Sequence, residues 1–168
     1  VTGDPDRRGD PRALAASVGE RLARRHQDVA VAESLTSGRL ASYLGAATGS
    51  GEWFAGGVIA YMPRVKFDVL GVAPGPVVCA SCARQMAVGV RRLTGSAVGV
   101  ALTGVGGPGP DEGQPAGTTF IAVSNERADH VTRRRFAGEP PAVVELSTKA
   151  ALEILLGFLT DGPPPTPR

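Results

Sequence analysis

Lysine is nearly missing from this chain: of its eighteen basic residues only Lys66 and Lys149 are lysines, the other sixteen being arginines. Aromatic residues are also few, at 5%, and the net charge is only +2. A basic stripe with interleaved aromatics is therefore lacking, and nucleic-acid binding is not expected. The two histidines, His26 and His130, stand far apart, and two cysteines cannot complete a four-ligand metal site without them. No apolar run reaches the length of a membrane span, and Val1 to Pro11 is polar and mixed in charge, unlike a signal peptide. A cytoplasmic protein that avoids the membrane is the expectation.

What is present describes one domain. With 168 residues, 42% hydrophobic and 20% charged, the chain can bury a core without disulfides or metals. The expected division is a disordered tail at 1–10, one domain at 11–160 and a Pro-rich tail at 161–168. Asp10-Pro11 reads as a helix cap and first helical residue, and Leu14, Val18 and Leu22 then recur at i, i+4, i+8. Val29 to Ala32 reads as a strand, Leu40 and Leu44 as a helix, Ala47 to Glu52 as a small-residue loop and Phe54 to Tyr61 as a second strand. Pro63 opens a helix to about Leu70. Cys82, Met86, Val90 and Leu93 mark a longer one, with Cys79 and Cys82 as packed free thiols at its start. Strands at Ala97–Leu102, 117–123 and 130–136 and a final helix from about Pro141 complete the order. Helices interleaved with strands predict a three-layer α/β/α domain with a mostly parallel sheet and an antiparallel edge hairpin.

Three strand ends carry the polar residues, and ligands of open α/β sheets bind at that edge. The first delivers Glu33 and Ser34 to a helix N-terminus suited to an anion. The second delivers Tyr61, with Lys66 about a turn further on. The third delivers Thr103, Gly104 and a loop of glycines and prolines running to Gln114. Each alone has a plainer reading. Ser34, Thr36 and Ser37 serve as helix caps, Lys66 as a solvated helix face, the glycines as a linker and Arg133-Arg134-Arg135 as a solvated strand edge. In so arginine-rich a chain, however, a retained lysine suggests a group that must lose a proton, which guanidinium does not do. Ser, Lys and Tyr together point to hydrolysis.

The motifs Ala32-Glu33-Ser34-x-Thr36-x-Gly38, Thr48-Gly49-Ser50, Gly57-x3-Tyr61-x4-Lys66-x3-Leu70-Gly71-Val72 and Thr103-Gly104-x-x-Gly107-Pro108, followed by Pro115-x-Gly117-Thr118, occur in that order. Over roughly Leu14 to Leu159 the chain resembles the CinA C-terminal domain family, which includes free-standing nicotinamide-nucleotide amidohydrolases. The resemblance implies deamidation of nicotinamide mononucleotide to nicotinate mononucleotide and ammonia, without metal or cofactor. It implies Ser34, Tyr61 and Lys66 as catalytic residues and Glu33, Thr36, Gly38, Ser50, Thr103, Gly104 and Gly107 around the substrate. It also implies a homo-oligomer, a dimer or trimer, with a small nucleotide as its partner.

The chain departs from the family pattern at Leu35 and Ser37, where Cys and Gly are usual, and at Gly51, where a second serine is usual and is itself a candidate nucleophile. Pro140 and Val144 stand where arginines are common. Gly51, Ser37 and Pro140 favour a second expectation, a catalytically inactive relative that binds a nucleotide as a regulatory or interaction module.

Overall fold

The structure, a computed structural model, describes residues 9–161. The tails expected at 1–10 and 161–168 lie outside these residues, apart from Gly9, Asp10 and the backbone of Asp161. Asp10 is an ordered N-cap: its carboxylate accepts from the Arg12 amide at 3.1 Å and starts α1 (Pro11–Arg25). The following elements are β1 (Val29–Glu33), α2 (Arg39–Gly45), α3 (Ser50–Trp53), β2 (Phe54–Ile59), α4 (Pro63–Asp68), α5 (Ala80–Thr94), β3 (Val98–Gly104), β4 (Thr118–Ser124), β5 (Asp129–Arg135) and α6 (Pro140–Asp161).

The strands form one sheet in the order β2-β1-β3-β4-β5. β1 pairs in parallel with β2 and β3, whereas the β3–β4 and β4–β5 ladders are antiparallel. The expected antiparallel edge hairpin is β4–β5, and it joins the parallel β2-β1-β3 group through a second antiparallel ladder, because β4 follows β3 through a loop that reverses the chain instead of a helical crossover. Side chains alternate between two cores. Val29, Val31, Val98, Val100 and Leu102 face α1, α2, α3 and α6, joining Leu14, Val18, Leu22, Trp53, Leu152 and Leu155. Ala30, Ala32, Ala101 and Ala122 face α5, meeting Cys82, Met86 and Val90. Small residues on that face let α5 lie close to the sheet, while the larger side chains opposite supply more apolar burial, each buried Leu or Val being worth roughly 2 kcal/mol.

Two sequence expectations need correction here. Residues 50–53 form the short helix α3 instead of a loop, which buries Trp53 against α1. Leu93 does not continue the buried stripe of α5. It is 55% exposed near the C-terminal end of that helix, just before the Gly95 cap.

Candidate functional site

The carboxyl ends of β1, β2 and β3 open onto a pocket of about 510 Å³ lined by Ser34, Leu35, Tyr61, Lys66, Val77, Val78 and the 103–111 loop. Pro63 sets the first turn of α4, and Lys66 lies one turn inside, 1% exposed and turned back toward β1. Its Nζ is 3.0 Å from Ser34 Oγ, 2.6 Å from the Ala60 carbonyl and 3.2 Å from the Tyr61 carbonyl. A neutral amine has two N–H donors and one lone pair. As an ammonium, Nζ donates to Ser34 Oγ and to both carbonyls; once deprotonated, with its two N–H donors on the carbonyls, its lone pair faces the Ser34 hydroxyl, which then donates to Nζ. Burial pulls the Lys66 ammonium below the 10.5 ordinary for lysine, while Cys82 and Glu112 push the other way. Burial drives the Cys82 thiol up to about 11, so it is uncharged at neutral pH and Glu112 is the charged neighbour that counts there.

The remaining site residues sort differently from expectation. Tyr61 is 64% exposed at the pocket rim, its carbonyl bonded to Lys66 and its hydroxyl without a hydrogen bond among the described residues. Glu33 is 1% exposed and its oxygens accept from the amides of Gly38 at 3.1 Å, Leu40 at 3.1 Å and Ala41 at 2.8 Å. It is therefore an internal anion for the start of α2, and the helix terminus expected to hold a substrate anion is already filled. The helix also starts later than expected, at Arg39, after a turn in which Ser37 (φ 48°) and Gly38 (φ 95°) are left-handed.

Thr36 is buried with its hydroxyl unpartnered and borders a hollow of about 360 Å³ that shares Leu35 and Val144 with the main pocket. Ser50 is not brought to the pocket: its hydroxyl donates to the Gly45 carbonyl at 2.8 Å, at the C-terminal end of α2. Gly51, beside it, is likewise away. Thr103 lines the pocket, but its hydroxyl donates to the Val77 carbonyl at 2.6 Å. At Gly104 a Cβ would strike the Thr118 backbone, so packing onto β4 demands glycine there. Gly107 lines the pocket, and the amides of Gly106, Gly107 and Gly109 make no hydrogen bond among the described residues, nor do those of Leu35 and Thr36 beside Ser34.

Sequence reasoning missed Glu112. Its carboxylate accepts from the Val77 amide at 2.8 Å and the Val78 amide at 2.7 Å, 35 and 34 residues away, a pairing that carries no local signal. A second hollow of about 440 Å³, at the amino ends of β1 and β3, is lined by Arg25, Gln27, Asn125 and Arg127 and offers no Ser, Cys or Lys nucleophile. Among the described residues no group of three or more His, Cys, Asp or Glu could hold a metal ion, and no helix is long and apolar enough to cross a membrane.

Comparison with known proteins agrees with this architecture. A putative competence-damage inducible protein of Bacillus velezensis is 38% identical over 136 residues, covering 78% of this chain and 33% of its own length. A CinA-like protein of Thermosynechococcus vestitus is 40% identical over 155 residues, covering 87% and 37% respectively. The chain thus spans about a third of the length of these curated relatives. The solved structure of the competence damage-inducible protein A from Klebsiella pneumoniae superposes with a TM-score of 0.88 at 30% identity, covering 91% of this chain and 99% of that one. A CinA superfamily structure from Enterobacter cloacae gives 0.89 at 25% identity, covering 95% and 97%. With residues 11–159 matching the CinA C-terminal domain and the fold in common with solved members, the chain belongs to the CinA C-terminal domain family.

Proposed function

We propose that this domain is a nicotinamide-nucleotide amidohydrolase that acts in the cytoplasm, with Ser34 as nucleophile and Lys66 as base. The observation that carries the reading is the buried 3.0 Å pair between Lys66 Nζ and Ser34 Oγ. In this reading Ser34 Oγ attacks the carboxamide carbon of nicotinamide mononucleotide and passes its proton to neutral Lys66. The amides of Leu35 and Thr36 receive the tetrahedral oxyanion. Lys66 returns the proton to the departing nitrogen, ammonia leaves, and water activated by the same amine hydrolyses the acyl-enzyme to nicotinate mononucleotide. The free amides of Gly106, Gly107 and Gly109 hold the ribose phosphate. Tyr61, exposed at the rim, covers the pyridine ring instead of relaying a proton. Its neighbours Ile59 and Met62 are 54% and 55% exposed and fit a homo-oligomer contact, which light scattering would reveal.

The test is ammonia release from nicotinamide mononucleotide by the purified chain. Turnover is expected, with the rising limb of its pH profile below 10.5 because burial lowers the Lys66 amine. Lys66→Arg should lower kcat by about a thousandfold, since guanidinium does not give up its proton and the base is lost, with thermal unfolding as the check that the bulkier charged side chain is accommodated at this buried position. Near-normal turnover by that variant would end the assignment. A second reading, a nucleotide-binding module without turnover, draws on the exposed Tyr61 and on the apolar Pro140 and Val144 in the pocket wall. It predicts a thermal shift with nicotinamide mononucleotide and no ammonia.

A further inference from the structure

Glu112 occupies a position that does not suit glutamate. Asp111 and Gln114 exchange two backbone hydrogen bonds, at 3.1 and 2.8 Å, closing a tight turn with Glu112 at φ 46° and Gly113 at φ 73°. Turns with two successive positive φ angles favour Asn, Asp or Gly at the first such position, so a glutamate there is held against its own preference. Its side chain shows what it achieves. The carboxylate collects the Val77 and Val78 amides, while Thr103 Oγ1, one residue before the glycine loop, holds the Val77 carbonyl at 2.6 Å. Val77 and Val78 form one wall of the Ser34–Lys66 pocket and residues 103–111 form another. The Val77 backbone is thus gripped by both its N–H and its C=O, in each case from the opposing wall.

We infer that Glu112 is a positioning residue that clasps the glycine loop to the Val77–Val78 wall and so fixes the width of the pocket before a ligand enters. The clasp stands on geometry alone, and its effect on turnover rests on the amidohydrolase reading. Ser34 and Lys66 are carried by the β1 turn and α4, outside the clasped segments, so loosening the clasp changes ligand fit more than chemistry. It also touches the base electrostatically. The charged or titratable groups facing Lys66 are Cys82 from α5, a neutral thiol at working pH, and Glu112 from the loop. Removing the Glu112 charge takes away support for the ammonium, so the rising limb of the pH profile moves to lower pH.

The experiment compares the ligand-free full chain with Glu112→Ala and Glu112→Gln by amide hydrogen exchange. The Val77 and Val78 amides and the 104–114 segment should exchange about tenfold faster in the alanine variant, less so in the glutamine variant that keeps one acceptor, with α1 and α6 unchanged. Unchanged protection in both variants would overturn the clasp. With nicotinamide mononucleotide, KM should rise about tenfold with kcat held within about threefold, and the glutamine variant should shift its pH limb downward. Faster exchange with wild-type KM and pH profile would overturn the positioning role. If the wild-type chain releases no ammonia, the amidohydrolase reading falls, and the exchange result decides the clasp by itself.

Discussion

Glu33 and Glu112 each offer a carboxylate to backbone amides beside the same pocket, but Glu33 is sealed and Glu112 is open to water. Glu33 serves amides five to eight residues downstream, at the turn into α2, and is 1% exposed. Glu112 serves amides 34 and 35 residues upstream, from an exposed turn. A buried carboxylate on three amides is part of the fold, because losing it strands donors that water cannot easily reach. An exposed one can be lost and replaced by water, so its contribution is to hold two walls in place and not to keep the chain folded. The pocket therefore has a rigid floor, where Ser34 sits, and a tunable roof.

The largest expected effect tests the sealed side. Glu33→Ala leaves the Gly38, Leu40 and Ala41 amides without their acceptor and should cost about 4 kcal/mol of unfolding free energy, read from denaturant midpoints. Glu112→Ala, measured alongside it, should move the melting temperature by less than about 3 °C. Comparable losses in the two variants would break the distinction between floor and roof.

That distinction also marks where sequence reading stopped. Leu14, Val18 and Leu22 announced α1 through their spacing, and Pro63 announced α4, so the turn placing Lys66 near β1 was legible. Ser34 at the end of an apolar strand was legible for the same reason. Glu33 was visible as a residue but not in its role, since alternation along β1 says which residues leave the strand and not which amide a carboxylate meets. The Glu112 clasp and the Thr103 bond to Val77 depend on how distant loops come together, and no periodicity encodes that. The edge hairpin was legible, but the antiparallel pairing of β4 with β3 was hidden, because the reversal between them is made by a glycine-rich loop of no diagnostic spacing. Trp53 was passed over in α3 because a helix of four residues is about one turn and gives no apolar position a chance to recur.

A smaller effect sharpens the picture of the floor. Ser37 holds φ 48° in the turn that Glu33 closes, and its hydroxyl reaches only the Ser34 carbonyl, at 3.4 Å. A serine in the left-handed region carries about 1 kcal/mol of strain that glycine does not, partly offset by the greater freedom of glycine in the unfolded chain. Ser37→Gly should therefore stabilise the protein by about 0.5 kcal/mol without altering the Ser34–Lys66 pair, as thermal unfolding and ammonia release would show. A loss of stability would mean that the 3.4 Å contact matters more than the backbone angle.

Gly51→Ser should have the smallest effect, and it marks the limit of the site. Residue 51 lies in α3, whose contacts are with α1, α2 and β2, and it does not line the pocket holding Ser34 and Lys66. A Cβ there would meet nothing within 4 Å, and the position does not have a positive φ, so serine fits without strain. Stability should stay within about 0.5 kcal/mol of wild type. On the amidohydrolase reading turnover should also be unchanged, because residue 51 does not line the pocket of Ser34 and Lys66 within one chain. A clear rise in ammonia release would show that residue 51 meets substrate after all. The site would then be completed by a second copy of the chain, and the pocket would have a third wall that neither glutamate controls.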